Sequence, residues 1–369
     1  MSEALSTVVL ANPRDRAAVA EAAVLGSVPE AAGTVLFRTS GSTGRPKWVA
    51  LRPEAIEASA HAVNRHLDVV PDDVWLRVLP VFHVGGYTIP VRARLGGCQL
   101  VEDDEKWQPG RLVRLCEDHG VTLCSLVPAQ VHDLVESAQR CPARLRAIVV
   151  GGGELRPAVW QQARALGWPV LTSYGLSEAA SQVATLSRDA LARPDGDPAW
   201  LTVLPHWRTR LGESGTLQLQ GPALFSGYCS RDEDGGWRWE AAGEWFETQD
   251  RVEWRDGRLR FVGRRDAVVK ILGELVDLAS LDRRLADLTA GTPARGRVRL
   301  LAEPDERAGR RLVLEVAAAL DAGSLIERFN ALQPPFARIA GHRTVETLAL
   351  SALGKVLAQP PPAPTGEAS

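Results

Sequence analysis

Thr39-Ser40-Gly41-Ser42-Thr43-Gly44-Arg45-Pro46-Lys47 follows a short β-rich run at residues 34–37 and combines glycines, hydroxyl side chains and a lysine. The two glycines let backbone N–H groups turn toward an anion, the hydroxyl groups add hydrogen-bond donors, and Lys47 supplies a positive charge. Together these groups suit a triphosphate. A Walker A loop has glycine immediately before its lysine, and Pro46 stands there instead, which excludes the P-loop kinases and GTPases. Taken alone, the stretch is also compatible with a flexible loop without function.

Outward from this loop, β-rich runs alternate with helical patterns. Within residues 53–67, apolar side chains recur at helical spacing at Ile56, Ala60, Val63 and Leu67. Further strands are predicted at 74–79, 122–127, 145–150 and 170–173, and further helices at 111–119, 128–138 and 157–166. This alternation predicts a large N-terminal α/β domain over residues 1–265, with a mostly parallel sheet that is covered on both faces. Ligands of such sheets bind at the strand ends.

From about residue 200 the pattern changes to short strands that glycine separates. The strands at 215–219, 236–240 and 258–262 predict a small antiparallel β subdomain over about 200–265. Trp237-Arg238-Trp239 is compatible with a platform for nucleic-acid bases, but one buried aromatic face of a strand explains the alternation better. After Asp266 strand and helix patterns return, which predicts a small α+β domain over 266–358 and a solvated proline-rich tail over 359–369.

The composition is that of a folded globular protein of two or three domains, with 369 residues of which 45% are hydrophobic and 24% charged. A net charge of −2 gives no excess positive charge for binding nucleic acid or an anionic membrane. No apolar run approaches the ~20 residues that span a bilayer, and residues 1–12 lack a signal-peptide pattern, so we expect a cytoplasmic protein. The five cysteines lack the spacing of zinc or disulfide sites and are expected to be free thiols.

The loop and five further motifs resemble, in the same chain order, the adenylate-forming (AMP-binding) enzyme superfamily, which includes acyl-CoA synthetases. The motifs are Gly151-Gly152-Gly153-Glu154, Ser173-Tyr174-Gly175-Leu176-Ser177-Glu178, Thr248-Gln249-Asp250, Gly263-Arg264-Arg265-Asp266 with Lys270-Ile271-Leu272-Gly273, and Leu353-Gly354-Lys355-Val356. Singly, each has a structural explanation, such as a solvated helix charge for Glu178, a turn cap for Asp250 or a surface cation for Lys355. Their common order over residues 35–356 favours the family.

The resemblance implies an ATP-dependent, Mg²⁺-dependent enzyme with coenzyme A as co-substrate and a small aromatic carboxylic acid as substrate. It implies that Tyr174 packs on adenine, that Glu178 is the Mg²⁺ ligand and that Asp250 holds the ribose hydroxyls. It further implies that Lys355 is catalytic, with Thr43 and Glu178, and that Asp266 is the hinge of a mobile C-terminal domain. The other implied nucleotide-binding residues are Thr39, Ser40, Gly41, Ser42, Gly44, Lys47, Gly152, Gly153, Glu154, Ser173, Gly175, Ser177, Arg264, Lys270 and Gly273. The sequence leaves a homo-oligomer open.

Two positions depart from the family pattern. Only 38 residues precede Thr39, where the family usually carries a long subdomain, so part of the N-terminal domain is expected to be missing or rebuilt. Gln249 replaces the usual glycine between Thr248 and Asp250, which would tighten the loop that positions Asp250.

The acid is predicted from His83 and Arg92. Leu79-Pro80-Val81-Phe82-His83-Val84-Gly85-Gly86 is similar to the family stretch whose histidine borders the acyl pocket, although a packed structural histidine is the alternative. Arg92 lies in the apolar context of Ile89-Pro90-Val91, where a charge is unexpected unless it meets an anion. A surface position beside Arg94 is the alternative for Arg92.

A basic residue nine positions after the histidine resembles the o-succinylbenzoate:CoA ligases of menaquinone synthesis, where it is the partner of the substrate's second carboxylate. The Ser181-Gln182 pair after Glu178 also resembles these ligases, and Gly151 and Ser181 complete the predicted substrate site. The sequence therefore predicts an ATP-dependent o-succinylbenzoate:CoA ligase. A ligase for another aryl or short acyl acid, and a non-catalytic nucleotide- or acyl-binding relative, are the alternatives.

Overall fold

The computed structural model describes residues 7–26, 28–39, 46–193, 197–232, 234–271, 274–305, 309–317, 320–346 and 348. The chain divides into two compact units. Residues 1–248 and 252–261 form the first unit, and residues 249–251 and 262–369 form the second. The predicted domain boundary and hinge at Asp266 stay predictions.

The first part of the first unit alternates strands with helices. In chain order these elements are β1 (Val8–Leu10), α1 (Arg16–Leu25), β2 (Val35–Thr39), β3 (Lys47–Leu51), α2 (Pro53–His66), β4 (Val74–Arg77), α3 (Val84–Gly96), β5 (Gln99–Glu102), α4 (Pro109–His119), β6 (Leu123–Leu126), α5 (Pro128–Glu136), β7 (Ala147–Val150), α6 (Pro157–Ala165) and β8 (Val170–Leu176). Proline begins α2, α4, α5 and α6, because the N–H group that proline lacks has no partner in the first helical turn. The predicted helices are present, with ends that shift by a few residues.

The chain then continues mostly in strands. In chain order these elements are β9 (Ser181–Thr185), the short helix α7 (Asp189–Ala192), β10 (Leu201–Val203), β11 (Arg208–Leu211), β12 (Thr216–Gln220), β13 (Gly227–Arg231), β14 (Trp237–Ala241), β15 (Phe246–Arg255) and β16 (Arg258–Arg264). Strands β15 and β16 include residues of both units. This change from alternation to strands occurs where the glycine pattern predicts it.

Among the described residues, the largest sheet has eleven strands in the order β11-β12-β15-β16-β10-β9-β8-β7-β6-β4-β5. The pairs from β8 to β5 are parallel, and β9 pairs antiparallel with both β8 and β10. Every side chain of β4, β6 and β7 is buried. Burial on both faces is expected of parallel strands that helices cover, so the predicted α/β class is confirmed.

A second sheet has the order β1-β2-β3-β13-β14. The strands of residues 200–265 are therefore shared between two sheets. Trp237 and Trp239 alternate along β14 and pack, half-buried, against a cluster that includes Leu25, Leu36 and Trp48. The aromatic alternation thus marks the inner face of a strand, as the sequence favours over a base-stacking platform. Helix α1 contributes Leu25 to this same cluster.

The second unit has α+β character. Its elements are β17 (Val268–Ile271), β18 (Glu274–Asp277), α8 (Leu278–Thr289), β19 (Val298–Asp305), β20 (Gly309–Ala317), α9 (Ala322–Asn330) and β21 (Ile339–Val345). Strands β17 and β18 form a hairpin, and β19, β20 and β21 form a three-stranded sheet. Leu281 and Leu285 of α8 share one apolar core with Leu314 and Phe329. The predicted proline-rich tail lies outside the described residues.

None of the described helices has the length and apolar character needed to cross a membrane. All five cysteines lie in the described chain as free thiols. Burial raises the pKa of both Cys116 and Cys141 to about 12, so these thiols stay protonated at neutral pH. They are accordingly packing residues.

Candidate active site

Several predicted site segments meet at one edge of the large sheet, because the carboxyl ends of its parallel strands point the same way. His83 lies beyond β4 and is the N-cap residue immediately before α3. Residues 151–154 follow β7 directly. Strand β8 extends to Leu176, past the predicted end at residue 173, and leads into a 3-10 turn at Ser177–Ala179 that carries Glu178.

Glycine is required at two positions of this edge. A Cβ atom on Gly175 would lie 1.7 Å from the carbonyl oxygen of Ser181, and one on Gly151 would lie 2.9 Å from Ser173 Oγ. Ser173 Oγ donates in turn to the carbonyl of Val150 at 3.1 Å. The strands β7, β8 and β9 thus approach one another more closely than side chains allow.

The turn after β7 is open to solvent. Gly152, Gly153 and Glu154 are all exposed, and Gly152 has φ +77°, a conformation that glycine adopts readily. Their backbone is therefore accessible to a ligand at the carboxyl end of β7. Their assignment to the adenine site stays a prediction.

Tyr174 lies at the same edge and is 9% exposed. Its ring stacks on Phe261, with 6.0 Å between ring centroids and an interplanar angle of 22°. Phe261 is not among the residues that the sequence predicts for this site, since it comes from β16, which is distant in sequence. The predicted packing of Tyr174 on adenine stays a prediction.

Glu178 is held through both its side chain and its main chain. The Tyr228 hydroxyl donates to Glu178 Oε1 at 2.8 Å, and the N–H of Phe225 donates to the Glu178 carbonyl at 2.9 Å. Burial raises the pKa of Tyr228, and the nearby carboxylates of Glu178 and Glu240 raise it further, so the phenol keeps its proton. Sequence analysis missed Tyr228, because strand pairing and not spacing brings it to Glu178.

Glu178 suits a Mg²⁺ ion that arrives with a nucleotide. Among the described residues, no group of three or more His, Cys, Asp or Glu side chains is placed to hold a metal ion. A permanent metal centre made of several side chains is therefore not found there. Mg²⁺ typically binds through one or two carboxylates together with substrate phosphates and water, and a single carboxylate fits that pattern.

The two ends of the glycine and hydroxyl loop are fixed in the five-stranded sheet. Thr39 ends β2 and pairs with Lys47, which begins β3. Thr39 Oγ1 donates to the Lys47 carbonyl at 3.3 Å. The Lys47 ammonium lies 4.7 Å from the centroid of the Tyr228 ring and 3.8 Å from Glu240 Oε2. Ser40, Gly41, Ser42, Thr43 and Gly44 lie outside the described residues.

Arg92 is buried on α3, with 1% of its surface exposed, which excludes the surface position considered for it. One guanidinium nitrogen donates to Ser181 Oγ at 3.3 Å, and the group lies 5.8 Å from the centroid of the Trp75 ring. Its Nε is buried without a hydrogen-bond partner, and no described carboxylate lies within ion-pair distance of the guanidinium. Burial lowers the pKa of Arg92 to about 9. A buried cation in these surroundings is chemically suited to pair with an anion, and the substrate role of Arg92 stays a prediction.

The turn between Glu178 and Ser181 is strained. Ala180 has φ +47° and Ser181 has φ +104°, values that side chains with a Cβ rarely adopt. Such strain persists where surrounding structure holds it, and clusters at functional sites. Here it presents the Ser181 hydroxyl to Arg92, three residues after Glu178.

His83 is half-buried beside Phe82, with 4.7 Å between ring centroids. Its Nε2 atom has no hydrogen-bond partner among the described residues, and burial lowers its pKa, which keeps the imidazole neutral at pH 7. No hydrogen bond between described residues joins His83 to Arg92 or Ser181. The structure therefore brings Arg92 and Ser181 together and leaves the role of His83 a prediction.

Further predicted site residues lie in the segment that begins at Thr248. The Thr248 hydroxyl donates to the Leu217 carbonyl at 2.8 Å within the first unit. Within the second unit, Asp250 is 8% exposed and its Oδ1 lies 3.5 Å from an Arg264 nitrogen. Arg265 Nε donates to Gln249 Oε1 at 3.0 Å, a contact that the usual glycine could not make.

The predicted hinge and catalytic lysine lie further along the second unit. Asp266 lies in a short 3-10 helix at Arg265–Ala267, and Lys270 lies in β17. Gly273 and Lys355 lie outside the described residues. Their roles stay predictions.

The AMP-binding enzyme family matches residues 12–229 of the chain. The chain belongs to this family. Similar curated proteins include the 2-succinylbenzoate–CoA ligase of Bacillus pumilus, which is 30% identical over 55% of this chain and 44% of its own length. The ligase of the same name from Bacillus cereus is 28% identical over 75% of this chain and 58% of its own length. The chain thus spans about half the length of the curated relatives it matches.

Solved structures of this family share the fold. A variant of Escherichia coli MenE with bound OSB-AMS is 26% identical, with a TM-score of 0.65 over 84% of this chain and 64% of the other. O-succinylbenzoate coenzyme A synthetase (MenE) from Bacillus subtilis in complex with AMP is 23% identical, with a TM-score of 0.73 over 88% of this chain and 68% of the other. The adenylate-forming fold that the motifs predict is therefore confirmed for this AMP-binding enzyme.

Proposed function

We propose that this AMP-binding enzyme is an ATP- and Mg²⁺-dependent acid:CoA ligase that converts o-succinylbenzoate to o-succinylbenzoyl-CoA. The names of its relatives support the reaction, since they are 2-succinylbenzoate–CoA ligases. Solved relatives from Bacillus subtilis carry the acyl-adenylate OSB-AMP in one structure and ATP with a magnesium ion in another. The observation that carries the choice of acid is Arg92, a buried cation without a carboxylate among the described residues.

The first half-reaction is adenylation. A substrate carboxylate attacks the α-phosphate of ATP in line, which forms acyl-adenylate and releases pyrophosphate. The loop from Thr39 to Lys47 would bind the β- and γ-phosphates, and Glu178 would hold Mg²⁺, which neutralises phosphate charge when bound. Lys355 would stabilise the negative charge that develops on the α-phosphate. Preorganised charges of this kind lower the barrier without reorganising during the reaction.

The second half-reaction is thioester formation. The thiol of CoA attacks the acyl carbon and AMP leaves, so no protein nucleophile is needed and correct positioning is the main requirement. The family resemblance implies that the C-terminal domain turns about Asp266 between the steps and withdraws Lys355. Both assignments remain proposals.

The second carboxylate of the acid explains why Arg92 would be needed. O-succinylbenzoate has two carboxylates and only one is adenylated, so the other must be paired once it leaves water. Arg92 is itself a cation taken out of water, held in place by Ser181. The guanidinium would supply the positive charge and hydrogen-bond donors that the second carboxylate needs, and its planar geometry matches that of a carboxylate.

The test is a substitution of Arg92 with alanine, assayed by pyrophosphate release over a panel of acids and by ATP-dependent CoA consumption. Loss of a charge-assisted contact of roughly 1.5–3 kcal/mol predicts a fall in kcat/KM for o-succinylbenzoate of about 10- to 150-fold, with ATP affinity almost unchanged. Benzoates that lack the second carboxylate should lose far less.

Arg94→Ala is the matched control, because Arg94 lies on the same helix, is exposed and pairs with Glu57 at 2.6 Å. Its turnover should stay near that of the parent. If Arg92→Ala leaves o-succinylbenzoate turnover intact, or depresses mono- and dicarboxylates alike, a ligase for another aryl or short acyl acid is favoured. Absence of pyrophosphate release with every acid would favour a non-catalytic relative.

A further inference from the structure

Tyr228 contacts two residues of the predicted nucleotide site that come from different elements. Its hydroxyl donates to Glu178 Oε1 at 2.8 Å, and its ring faces the Lys47 ammonium at 4.7 Å from the centroid. Glu178 lies in the turn after β8, whereas Lys47 begins β3 at the end of the glycine and hydroxyl loop. One side chain therefore touches both the carboxylate proposed for Mg²⁺ and the lysine proposed for the phosphates.

Strand pairing explains how Tyr228 reaches Lys47. Strand β13 runs antiparallel to β3 and places Tyr228 opposite Val49. Lys47 lies two residues before Val49 and so projects from the same face of the sheet, within diagonal reach of an aromatic ring. A cation over the face of an aromatic ring at this distance is attracted to it.

The residues around Tyr228 hold it in this position. Phe225 packs on its ring with 4.6 Å between centroids, and the Phe225 N–H donates to the Glu178 carbonyl. At Gly227 a Cβ atom would lie 2.5 Å from the Glu240 carbonyl oxygen and 2.6 Å from the Trp239 ring, so β13 and β14 approach closely there. The segment before β13 thus secures the main chain of Glu178, and Tyr228 secures its side chain.

We propose that Tyr228 is a positioning residue of the nucleotide site, whose hydroxyl orients the Glu178 carboxylate toward Mg²⁺ and whose ring holds Lys47. The inference rests on the proposed function, which assigns Mg²⁺ to Glu178 and phosphates to Lys47. Mg²⁺ demands near-ideal ligand geometry, so a carboxylate that is already oriented binds it better than one that rotates. Partners that orient metal ligands typically contribute 10- to 100-fold to metal affinity.

Two substitutions separate the hydroxyl from the ring. Tyr228→Phe removes only the hydroxyl, whereas Tyr228→Leu also removes the aromatic face under Lys47. Binding is measured by titration calorimetry with ATP in the presence of Mg²⁺ and with ATP in the presence of EDTA. We expect Tyr228→Phe to weaken binding of Mg²⁺–ATP about 10-fold or more and to leave metal-free ATP within about twofold of the parent. Tyr228→Leu should weaken both.

Kinetics supply a second readout. In Tyr228→Phe the KM for Mg²⁺ should rise while kcat at saturating Mg²⁺ returns toward the parent value, a split that general destabilisation would not produce. Tyr87→Phe is the matched control, because the Tyr87 ring packs on Phe37 and its hydroxyl has no partner among the described residues. Melting temperatures establish that each variant is folded.

A double-mutant cycle tests whether the hydroxyl acts through Glu178. Glu178→Gln should lose Mg²⁺–ATP affinity by itself, and adding Tyr228→Phe should cost little more, since the two changes remove one shared function. Additive losses, equal losses with and without Mg²⁺, or parent-like binding by Tyr228→Phe would each overturn the role. A parent protein that binds no ATP under either condition would overturn the proposed function itself.

Discussion

At the scale of single residues, the site depends on backbone that only particular residues can adopt. Gly175 has no room for a Cβ atom, because the carbonyl oxygen of Ser181 occupies that space. Ser181 and Ala180 have positive φ angles that bring the chain back toward β8 after Glu178. The close approach at Gly175 and the strained turn are two halves of one local geometry, which aims Ser181 at Arg92.

We therefore expect Gly175→Ala to destabilise the protein strongly. A new Cβ atom would lie 1.7 Å from a backbone atom, which cannot move without disturbing the β8–β9 pairing. The loss should reach about 3 kcal/mol in the free energy of unfolding, measured by urea denaturation. Gly26→Ala is the control, since Gly26 has φ −60° and nothing within 4 Å of its Cβ position, and should be neutral or stabilising. Equal effects at both glycines would contradict this account.

At the scale of elements, one buried carboxylate ties together the strands that carry the site. Asp73, just before β4, accepts from Arg146 Nε at 2.8 Å, from Thr122 Oγ1 at 2.7 Å and from the Val70 N–H at 2.9 Å. Arg146 precedes β7 and also donates to the Leu67 carbonyl at 2.7 Å, after α2. The amino ends of β4, β6 and β7 are thus joined opposite the edge where the site forms.

This cluster predicts a specific acid sensitivity. Burial raises the pKa of Asp73, but hydrogen bonds from Arg146, Val70 and Thr122 outweigh it and lower the pKa from 3.8 to about 2. A carboxyl whose pKa is lower in the folded state stabilises the fold above pH 4, and this contribution disappears as pH falls toward 2. This contribution is on the order of 2 kcal/mol.

The measurement is the free energy of unfolding of Asp73→Asn against the parent protein between pH 6 and pH 3. The difference in free energy of unfolding between the two proteins should become smaller as pH falls. Protonation of Asp73 in the parent removes the same carboxylate charge that the substitution has already removed. Asp72→Asn, at the exposed neighbouring position, is the control and should change little. A gap that is constant with pH would show that the charge of Asp73 is not what stabilises the cluster.

At the scale of the whole molecule, the predicted machinery is divided between the two units. Arg92, Ser181 and Glu178 belong to the first, whereas Asp250 and Asp266 belong to the second. Under the proposed function both units supply groups for adenylation, and a turn of the second unit about Asp266 would withdraw Lys355 before thioester formation. Substitutions should then affect the two half-reactions unequally.

Lys355→Ala tests the first half-reaction. We expect it to slow acyl-adenylate formation by about 10²-fold or more, a typical loss for one preorganised electrostatic group, and still to convert supplied acyl-adenylate to thioester. Pyrophosphate release and CoA consumption measure the two steps separately. Lys106→Ala, an exposed lysine outside the predicted site, should leave both unchanged. Equal loss in both steps would reject the role assigned to Lys355.

Asp266→Pro tests the second half-reaction. Proline fixes φ, so it should restrict the rotation that is proposed at this position. We expect pyrophosphate release to continue while transfer to CoA is suppressed. Thioester formation at the parent rate would place the hinge elsewhere in the chain.

Local patterns in the amino-acid sequence were sufficient to predict the fold class and the family. Alternating strand and helix periods predicted the α/β class, because such periods arise within a few residues. The short motifs predicted the family for the same reason, because each is a contiguous run whose backbone conformation and chemistry belong together.

Contacts between residues distant in sequence followed from the packing of the folded chain. The sequence left Arg92 either buried or exposed, and the packing of α3 beside Trp75 and Ser181 buried it. Nothing in the local pattern of β13 indicates that it pairs with β3 and carries Tyr228 to Glu178, 50 positions away in sequence. Pairing and packing depend on the free energy of the whole chain, so a local pattern predicts an element but not the neighbour it finds.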